Sequence, residues 1–195
     1  MHTSSSPARR RAFTLVELLI TVTIIAILAG LTFAVSSSVI QQARKTQARA
    51  TMENLRSGIA HYLTEYNRLP VATGDADAAL STDSASGVIA TLMGEDDQLN
   101  PLGKTFFSSS LANSGRGGLI DAGGAQVSLH DPWGQPYHLL LDANGDERIR
   151  PNPDQFNEDA RIANDAPEVL RTRAAIFSNG PDGERGTRDD LVTWR

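Results

Sequence analysis

An uncharged apolar segment near the N-terminus constrains this chain more than any other feature. No charged residue occurs from Leu18 to Val35, and with residues 13–16 the segment reaches about twenty apolar residues, enough for one membrane-spanning helix. Arg9, Arg10 and Arg11 come just before it, and basic residues beside a span remain on the cytoplasmic side. The pattern predicts a single-pass membrane protein whose C-terminal bulk lies outside the cytoplasm.

A cleaved secretory signal is the first alternative, because the small residues 34–38 after the apolar segment could form a cleavage site. Glu17 argues against a disposable signal. A carboxylate inside a membrane helix costs on the order of 2.5–3.5 kcal/mol at the helix centre and less near the interface. A segment that is removed after export gains nothing from that cost, although a boundary acid without a purpose stays possible.

The residues around Glu17 resemble the prepilin processing site. The sequence RRAFTLVEL, residues 10–18, has the short basic leader, the Phe after the cut and the Glu as fifth residue of the mature chain. The resemblance, to type IV pilin-like proteins, implies that prepilin peptidase cuts between Ala12 and Phe13 and that the new Phe13 amine is methylated. Ala12 stands where the family usually has Gly.

The same resemblance gives Glu17 a role in assembly. In the family, the equivalent acid is thought to meet the terminal amine of the neighbouring subunit, and a buried acid and amine are tolerable as a pair although each is costly alone. The implied partners are further copies in a helical filament, other pseudopilins, the inner-membrane assembly platform and membrane lipid. The implied location is the inner membrane, with a periplasmic C-terminal domain.

Residues 36–69 predict an amphipathic continuation of the same helix. Apolar residues recur at three- and four-residue steps and should pack on a sheet. These are Met52, Leu55, Ile59, Tyr62, Leu63 and Tyr66. Pro70 disfavours helix in the residue before it, so the helix should end near Tyr66. YLTEYNRLP, residues 62–70, also resembles the helix end of major pseudopilins.

The distal part predicts a small antiparallel sheet. DPWGQPY, residues 131–137, reads as a turn and resembles the segment before the sheet in major pseudopilins. A strand should follow at Tyr137–Leu141, then a hairpin at Asn144-Gly145, and a second strand at Ala174–Phe177. Residues 71–128 predict irregular structure with one short helix.

We therefore predict an α+β fold: a long N-terminal helix, transmembrane in its first half and amphipathic in its second, packed on a small antiparallel β-sheet with a C-terminal calcium-type loop. The predicted divisions are a leader (1–12), a transmembrane part (13–35), an amphipathic part (36–69) and a periplasmic globular domain (70–195).

The segment 178–190 combines three glycines with several acids, which a curled loop could direct at one hard cation. Chemistry alone leaves calcium binding and a solvated acidic turn both open. The segment resembles the calcium loop of the type II secretion major pseudopilin. That resemblance implies calcium ligation by the side chains of Asp182, Asp189 and Asp190 and by the carbonyl of Asn179, with Thr187 where the family often has Ser.

A second, weaker metal candidate is Asp142, Asn144 and Asp146, whose spacing matches the opening of an EF-hand loop. Glu147 occupies the glycine position of that loop, and Pro153 occupies the position of its bidentate acid. A plain hairpin turn is the favoured interpretation.

Charge and composition narrow the function. Residues 69–195 hold ten Lys/Arg against twenty Asp/Glu, which argues against nucleic-acid binding. The chain has no cysteine, and its histidines form no catalytic motif, so no enzyme is predicted. The first hypothesis is a structural subunit of a type II secretion pseudopilus that drives protein export across the outer membrane. A type IV pilus subunit for adhesion, motility or DNA uptake, and a membrane-tethered calcium-binding module that does not polymerise, remain alternatives.

Overall fold

The structure, a computed structural model, describes residues 13–72, 74, 76–121 and 126–195, with the side chains of residues 31–37 left out. The chain divides into two compact units, residues 1–42 and 43–195. The leader and Ala12, the residue before the predicted cut, lie outside the described residues.

One long helix, α1, runs from Leu15 to Tyr66, which confirms the predicted helix and its end. Asn67 closes it in a left-handed conformation (φ 52°), and its N–H donates to the carbonyl of Leu63 at 2.8 Å. Pro70 then lies among the buried residues that follow. A left-handed Asn after the last turn is a common way to satisfy a helix's free carbonyls.

Over the described residues, no helix meets the length and apolarity that a membrane crossing requires. The predicted span, residues 13–35, includes residues 31–35, whose side chains are not described. The prediction of a transmembrane first half therefore stays a prediction.

The second unit is built on the apolar stripe of α1. Met52, Leu55, Ile59 and Tyr62 are each at most 1% exposed, which confirms the predicted packing face. They join one core with residues of the sheet, and Leu63, Tyr66 and Trp133 pack at its edge. Burial of side chains of this size is the main source of the fold's stability.

Within the residues that the structure describes, nine further elements follow α1. They are β1 (Ala78–Ser81), α2 (Val88–Met93), β2 (Gly118–Asp121), β3 (Val127–His130), β4 (His138–Leu141), a 3₁₀ helix (Pro153–Phe156), α3 (Ala160–Asp165), β5 (Ala174–Ser178) and β6 (Leu191–Val192). Four strands form an antiparallel sheet in the order β1-β4-β5-β6, and β2 pairs with β3 in a separate two-stranded sheet. The α+β class is confirmed.

Two details of the predicted sheet are wrong. Asn144 and Gly145 do lie in a turn, but β4 pairs with β5, and residues 142–173 lie between those strands, so the turn is not a two-residue hairpin. Residues 71–128 contain the predicted short helix, α2, but also β1, β2 and the start of β3. These strands are only four residues long, too short for alternation to stand out in the sequence.

The segment 148–173 covers the sheet rather than leaving the domain. Ile149 and Leu170 bridge to each other and share a second buried cluster with Leu140, Ala175 and Phe177. Trp194 packs against that cluster. The sheet is therefore covered on one face by α1 and on the other by this segment.

Candidate functional site

Glu17 lies in the first turn of α1 and forms a reciprocal cap with Thr14. The Thr14 hydroxyl accepts from the Glu17 N–H at 3.2 Å, and the Glu17 carboxylate accepts from the Thr14 N–H at 3.2 Å. This is the capping box, in which a Thr and a Glu three residues later satisfy two free N–H groups of a helix start. The sequence T-L-V-E carries that signal, which the sequence-based interpretation missed. Phe13, the predicted mature N-terminus, is 73% exposed.

The loop 179–190, called here the C-terminal loop, is tied together by its acids. The Asp189 carboxylate accepts from the Thr187 hydroxyl at 2.7 Å and from the Asp182 N–H at 3.3 Å. The Asp190 carboxylate accepts from the Gly186 N–H at 2.8 Å. Four of the five predicted ligands therefore meet in one hydrogen-bonded loop.

Crowding of carboxylates leaves an electrostatic signature in the C-terminal loop. Burial raises the pKa of Asp190, and the carboxylates of Asp182 and Asp189 raise it further, against the opposing bond from the Gly186 N–H. The pKa of Asp182 is lowered, chiefly by the Glu184 N–H bonded to its carboxylate. Like charges held close favour the neutral acid, and a cation would relieve that repulsion.

Asn179, the fifth predicted ligand, opens the C-terminal loop. Its Nδ2 donates to the Gly183 carbonyl at 3.3 Å, whereas its buried Oδ1 has no hydrogen-bond partner. Gly180 follows with φ 71°, and a Cβ there would come within 2.5 Å of the Asp189 carbonyl oxygen, so only glycine fits. Carboxylate, hydroxyl and carbonyl oxygens, which these five residues supply, are the donors that hard cations prefer, and the unpartnered Asn179 Oδ1 is one further oxygen in the same loop. In this respect the residues fit calcium.

The second metal candidate, at residues 142–146, does not form with the predicted set of ligands. Among the described residues, the one group of three acids whose ligand atoms all lie within 4.8 Å of one another is Asp77, Asp142 and Asp146. The acids of the C-terminal loop do not form such a group. Asp77 lies just before β1, where the sequence gave no reason to expect a partner for the 142–146 turn. Its Oδ1 is buried without a hydrogen-bond partner.

Hydrogen bonds explain most of the 142–146 turn without a cation. Asp142, 3% exposed, accepts from the N–H groups of Gly145, Asp146 and Glu147 at 2.8–3.0 Å. The Asn144 side chain accepts from the Asp146 N–H at 3.0 Å rather than facing a shared centre. Arg150 places its guanidinium 3.2 Å from the Asp146 carboxylate and supplies a positive charge to the group.

Asp131 is the functional residue that sequence reasoning missed. It is fully buried, and its Oδ1 accepts from the N–H groups of residues 133, 134 and 135 at 2.8–2.9 Å. Its Oδ2 accepts from the Ser178 hydroxyl at 2.6 Å, and the Ser178 oxygen accepts from the Gly180 N–H at 3.1 Å. The DPWG turn thereby anchors the first residues of the C-terminal loop. The Asp-Pro start of that turn was the available signal, because Asp commonly accepts from N–H groups one or two residues on.

Comparison with known proteins gives two kinds of match. Residues 7–33 match the prokaryotic N-terminal methylation motif. The type II secretion system core protein G of Aeromonas hydrophila is 24% identical over 186 residues, which are 95% of this chain and 93% of that protein. Its counterpart from Pectobacterium carotovorum subsp. carotovorum is 25% identical over 186 residues, 95% of this chain and 85% of that protein.

No solved structure matches the chain significantly. The methylation motif covers residues 7–33, while the similarity to core protein G extends over 95% of the chain. Together with the long helix packed on an antiparallel sheet, these matches support a pseudopilin family assignment.

Proposed function

We propose that this chain is a structural subunit of a type II secretion pseudopilus, the filament that drives protein export across the outer membrane. The observation that supports it most is the similarity to core protein G over 95% of the chain, in a protein that also has the methylation motif. The role is mechanical rather than catalytic: the chain supplies a helix for assembly and a domain for the filament surface.

The proposal includes a route to the filament. Prepilin peptidase removes residues 1–12, the Phe13 amine is methylated, and the subunit waits in the inner membrane with residues 13–35 as its anchor. The domain beyond α1 lies in the periplasm. The platform of the secretion system then adds the subunit to other pseudopilins and to further copies of this chain.

The processing step is tested on the mature N-terminus. Mass spectrometry of the membrane-extracted protein should show a chain that starts at Phe13 with one added methyl group. A start at residue 36 or beyond would indicate an ordinary signal peptide and would overturn the pseudopilin route. Ala12→Gly should process at least as fast, because it restores the residue the family usually has before the cut.

The role of Glu17 can be separated from its cap. Glu17→Gln keeps a capping box, since Gln serves at that position as well as Glu, but removes the charge that could meet a neighbour's amine. Glu17→Ala removes both. If the charge pair sets the register of assembly, both variants insert and fold but give few filaments, because the amine is left buried and unpaired at a cost of about 3–5 kcal/mol.

Filament yield from cells that express each variant is the measurement. Normal filaments from Glu17→Gln combined with few from Glu17→Ala would show that Glu17 acts through the cap alone. Normal filaments from both would show that Glu17 has no role in assembly.

We propose further that the C-terminal loop binds one calcium ion through Asp182, Asp189 and Asp190, with Asn179 and Thr187 completing the oxygen donors. Supporting observations are the raised pKa of Asp190 and the unpartnered Oδ1 of Asn179. The ion would neutralise three crowded carboxylates and hold closed a loop that has no disulfide. The group of Asp77, Asp142 and Asp146 is the competing location for a cation.

A further inference from the structure

The segment 152–158, called here the strap, crosses the outside of the C-terminal loop. Asn157 is 7% exposed, and its Nδ2 donates to the main-chain carbonyl of Thr187 at 2.9 Å. Thr187 is itself only 8% exposed, so water does not compete freely for that carbonyl. A buried carbonyl that loses its donor is costly, which makes this single bond a firm attachment.

A second attachment lies next to the first. The N–H of Glu158 donates to the carbonyl of Gly186 at 2.7 Å. Gly186 has φ 85°, and a Cβ there would come within 3.2 Å of the Phe156 carbonyl oxygen. The strap and the loop therefore approach backbone to backbone, which only a glycine at this position permits.

The strap also holds the chain that leaves the loop. Asp154 is 5% exposed, and its Oδ2 accepts from the Trp194 indole N–H at 2.7 Å. The same oxygen lies 3.0 Å from the Arg195 guanidinium. Charge-assisted bonds to a buried carboxylate are among the stronger hydrogen bonds in proteins.

The strap can act as a clamp because its own shape is fixed. The Asn152 side chain accepts from the Asp154 N–H at 3.0 Å and donates to the Pro167 carbonyl at 2.8 Å. At the other end, the Asn157 Oδ1 accepts from the Asp159 N–H at 2.9 Å. Both ends are thus fastened within the segment that covers the sheet.

We propose that the strap is a positioning device that keeps the C-terminal loop closed whether or not a cation is bound. Asn157 and Glu158 are its positioning residues. The bonds to the carbonyls of Gly186 and Thr187 leave side-chain oxygens as the donors that face a cation. The strap's bonds to the loop do not depend on the proposed function. Only the importance of the closed loop as a cation site rests on it.

Hydrogen–deuterium exchange of the full chain in detergent, with chelator present, tests the strap without any cation. Glu158→Pro removes the N–H that bonds Gly186. Asn157 already has φ −72° and ψ 139°, the extended conformation that a residue before proline adopts. Glu158→Ala is the matched control, because it alters the exposed side chain and keeps the N–H.

A second pair changes the side-chain bond. Asn157→Ala removes the donor to Thr187. Asn100→Ala is its control, because Asn100 is also buried and its Nδ2 donates to main-chain carbonyls, those of Thr91 and Lys104, outside the C-terminal loop. General destabilisation by loss of a buried Asn is thus measured separately from release of the loop.

The expected result is about tenfold faster exchange of the amides of residues 180–190 in Glu158→Pro and in Asn157→Ala, with little change elsewhere in the sheet. Glu158→Ala should match the unaltered protein. Unchanged loop exchange in a folded Glu158→Pro or Asn157→Ala protein would overturn the proposal. Acceleration spread evenly over residues 43–195, or an equal loop effect from Asn100→Ala, would also overturn it.

The effect of calcium on loop exchange separates the strap proposal from the calcium-site proposal. If calcium slows loop exchange in the unaltered protein, the loop is a cation site. If calcium has no effect while Glu158→Pro still accelerates exchange in chelator, the cation proposal fails and the strap stands.

Discussion

The two acidic segments of this domain differ in how their oxygens are used. In the 142–146 turn, one carboxylate, that of Asp142, accepts three N–H groups and builds the turn by itself. In the C-terminal loop, several carboxylates accept hydrogen bonds from within the loop, and the strap supplies a further donor from outside it. A buried oxygen without a partner lies at each place: the Oδ1 of Asp77, which is grouped with the acids of the 142–146 turn, and the Oδ1 of Asn179 in the C-terminal loop.

The difference shows that close spacing of acids and unrelieved repulsion between them are separate criteria for a metal site. The acids around Asp142 lie closer together, and backbone donors and Arg150 already bond to two of them. The acids of the C-terminal loop are less tightly gathered; burial raises the pKa of Asp190, and the carboxylates of Asp182 and Asp189 raise it further. A cation would relieve the repulsion among these carboxylates, so we expect it in the C-terminal loop.

The largest expected effect comes from removing the anchor of the C-terminal loop. Asp131→Ala leaves the N–H groups of residues 133 and 135 and the Ser178 hydroxyl without their acceptor, while the Gly134 N–H keeps the main-chain carbonyl of residue 131. We expect the free energy of unfolding to fall by more than about 3 kcal/mol, because each buried donor left unpaired costs about 1–3 kcal/mol. Chemical denaturation of the full chain in detergent is the measurement.

Asp131→Asn is the matched control. It keeps an Oδ1 acceptor for the three N–H groups and should lose clearly less stability. Equal losses in the two variants would show that the charge, rather than the set of hydrogen bonds, stabilises the anchor.

Calcium should produce the next largest effect. Binding to the folded state alone adds about 2.7 kcal/mol at a hundredfold excess over Kd. For a chain of this length that corresponds to a melting temperature about 5–10 °C higher in calcium than in chelator. Asp189→Ala should abolish the difference, because it removes the carboxylate that bonds Thr187 and Asp182.

Asp77→Asn tests which of the two acidic groups binds the calcium ion. It keeps an oxygen for the Arg150 N–H that bonds Asp77 at 2.8 Å, but it removes one charge from the competing group. We expect the calcium effect to survive in Asp77→Asn. Loss of the effect there, with survival in Asp189→Ala, would move the cation to Asp77, Asp142 and Asp146. Identical melting with and without calcium in the unaltered protein would leave both segments as turns.

Asp142→Ala should cost about 1–3 kcal/mol of unfolding free energy, less than Asp131→Ala, because the three N–H groups that lose its carboxylate belong to the exposed residues 145–147 and can bond to water instead. The same loss is expected in calcium and in chelator, because the turn is built by hydrogen bonds. Thermal melts under both conditions measure it. A loss confined to calcium would contradict the assignment of this segment as a turn.

The sequence predicted the helix and its core well because their signals are periodic and long. The apolar residues from Met52 to Tyr62 repeat at helical spacing, and Pro70 limits the helix. The buried face of α1 in the structure follows the same pattern. Strands of four residues gave no comparable signal, and the hairpin predicted at Asn144-Gly145 was wrong because Asn-Gly is compatible with several turns.

Of the candidate site, the sequence predicted the members of the C-terminal loop but neither their anchor nor their clamp. Asp131 and Asn157 act on the loop from 47 and 30 residues away, and no local pattern marks such contacts. Asp77 joins the 142–146 turn only because β1 pairs with β4. Long-range pairing decides these positions, and a single sequence does not display it.

The smallest expected effect is a pH dependence that should act on one segment and spare the other. His138 stacks on Phe177 with ring centroids 4.7 Å apart, and Arg185 of the C-terminal loop lies 4.9 Å from the same Phe177 ring. Burial lowers the pKa of His138, the positive charge of Arg185 lowers it further, and the carboxylates of Asp131 and Asp83 oppose the shift.

Because the folded pKa of His138 is below its unfolded value near 6.5, the unfolded state binds more protons in the window beneath that value. Stability should therefore be complete above about pH 6.5 and should fall as the pH drops through the window. His138→Gln should flatten this part of the stability profile between pH 7 and pH 5. In exchange experiments at the lower pH, after correction for intrinsic rates, residues 180–190 should open more than residues 142–146, because a protonated His138 repels Arg185. Equal opening of the two segments, or an unchanged slope in His138→Gln, would contradict this assignment.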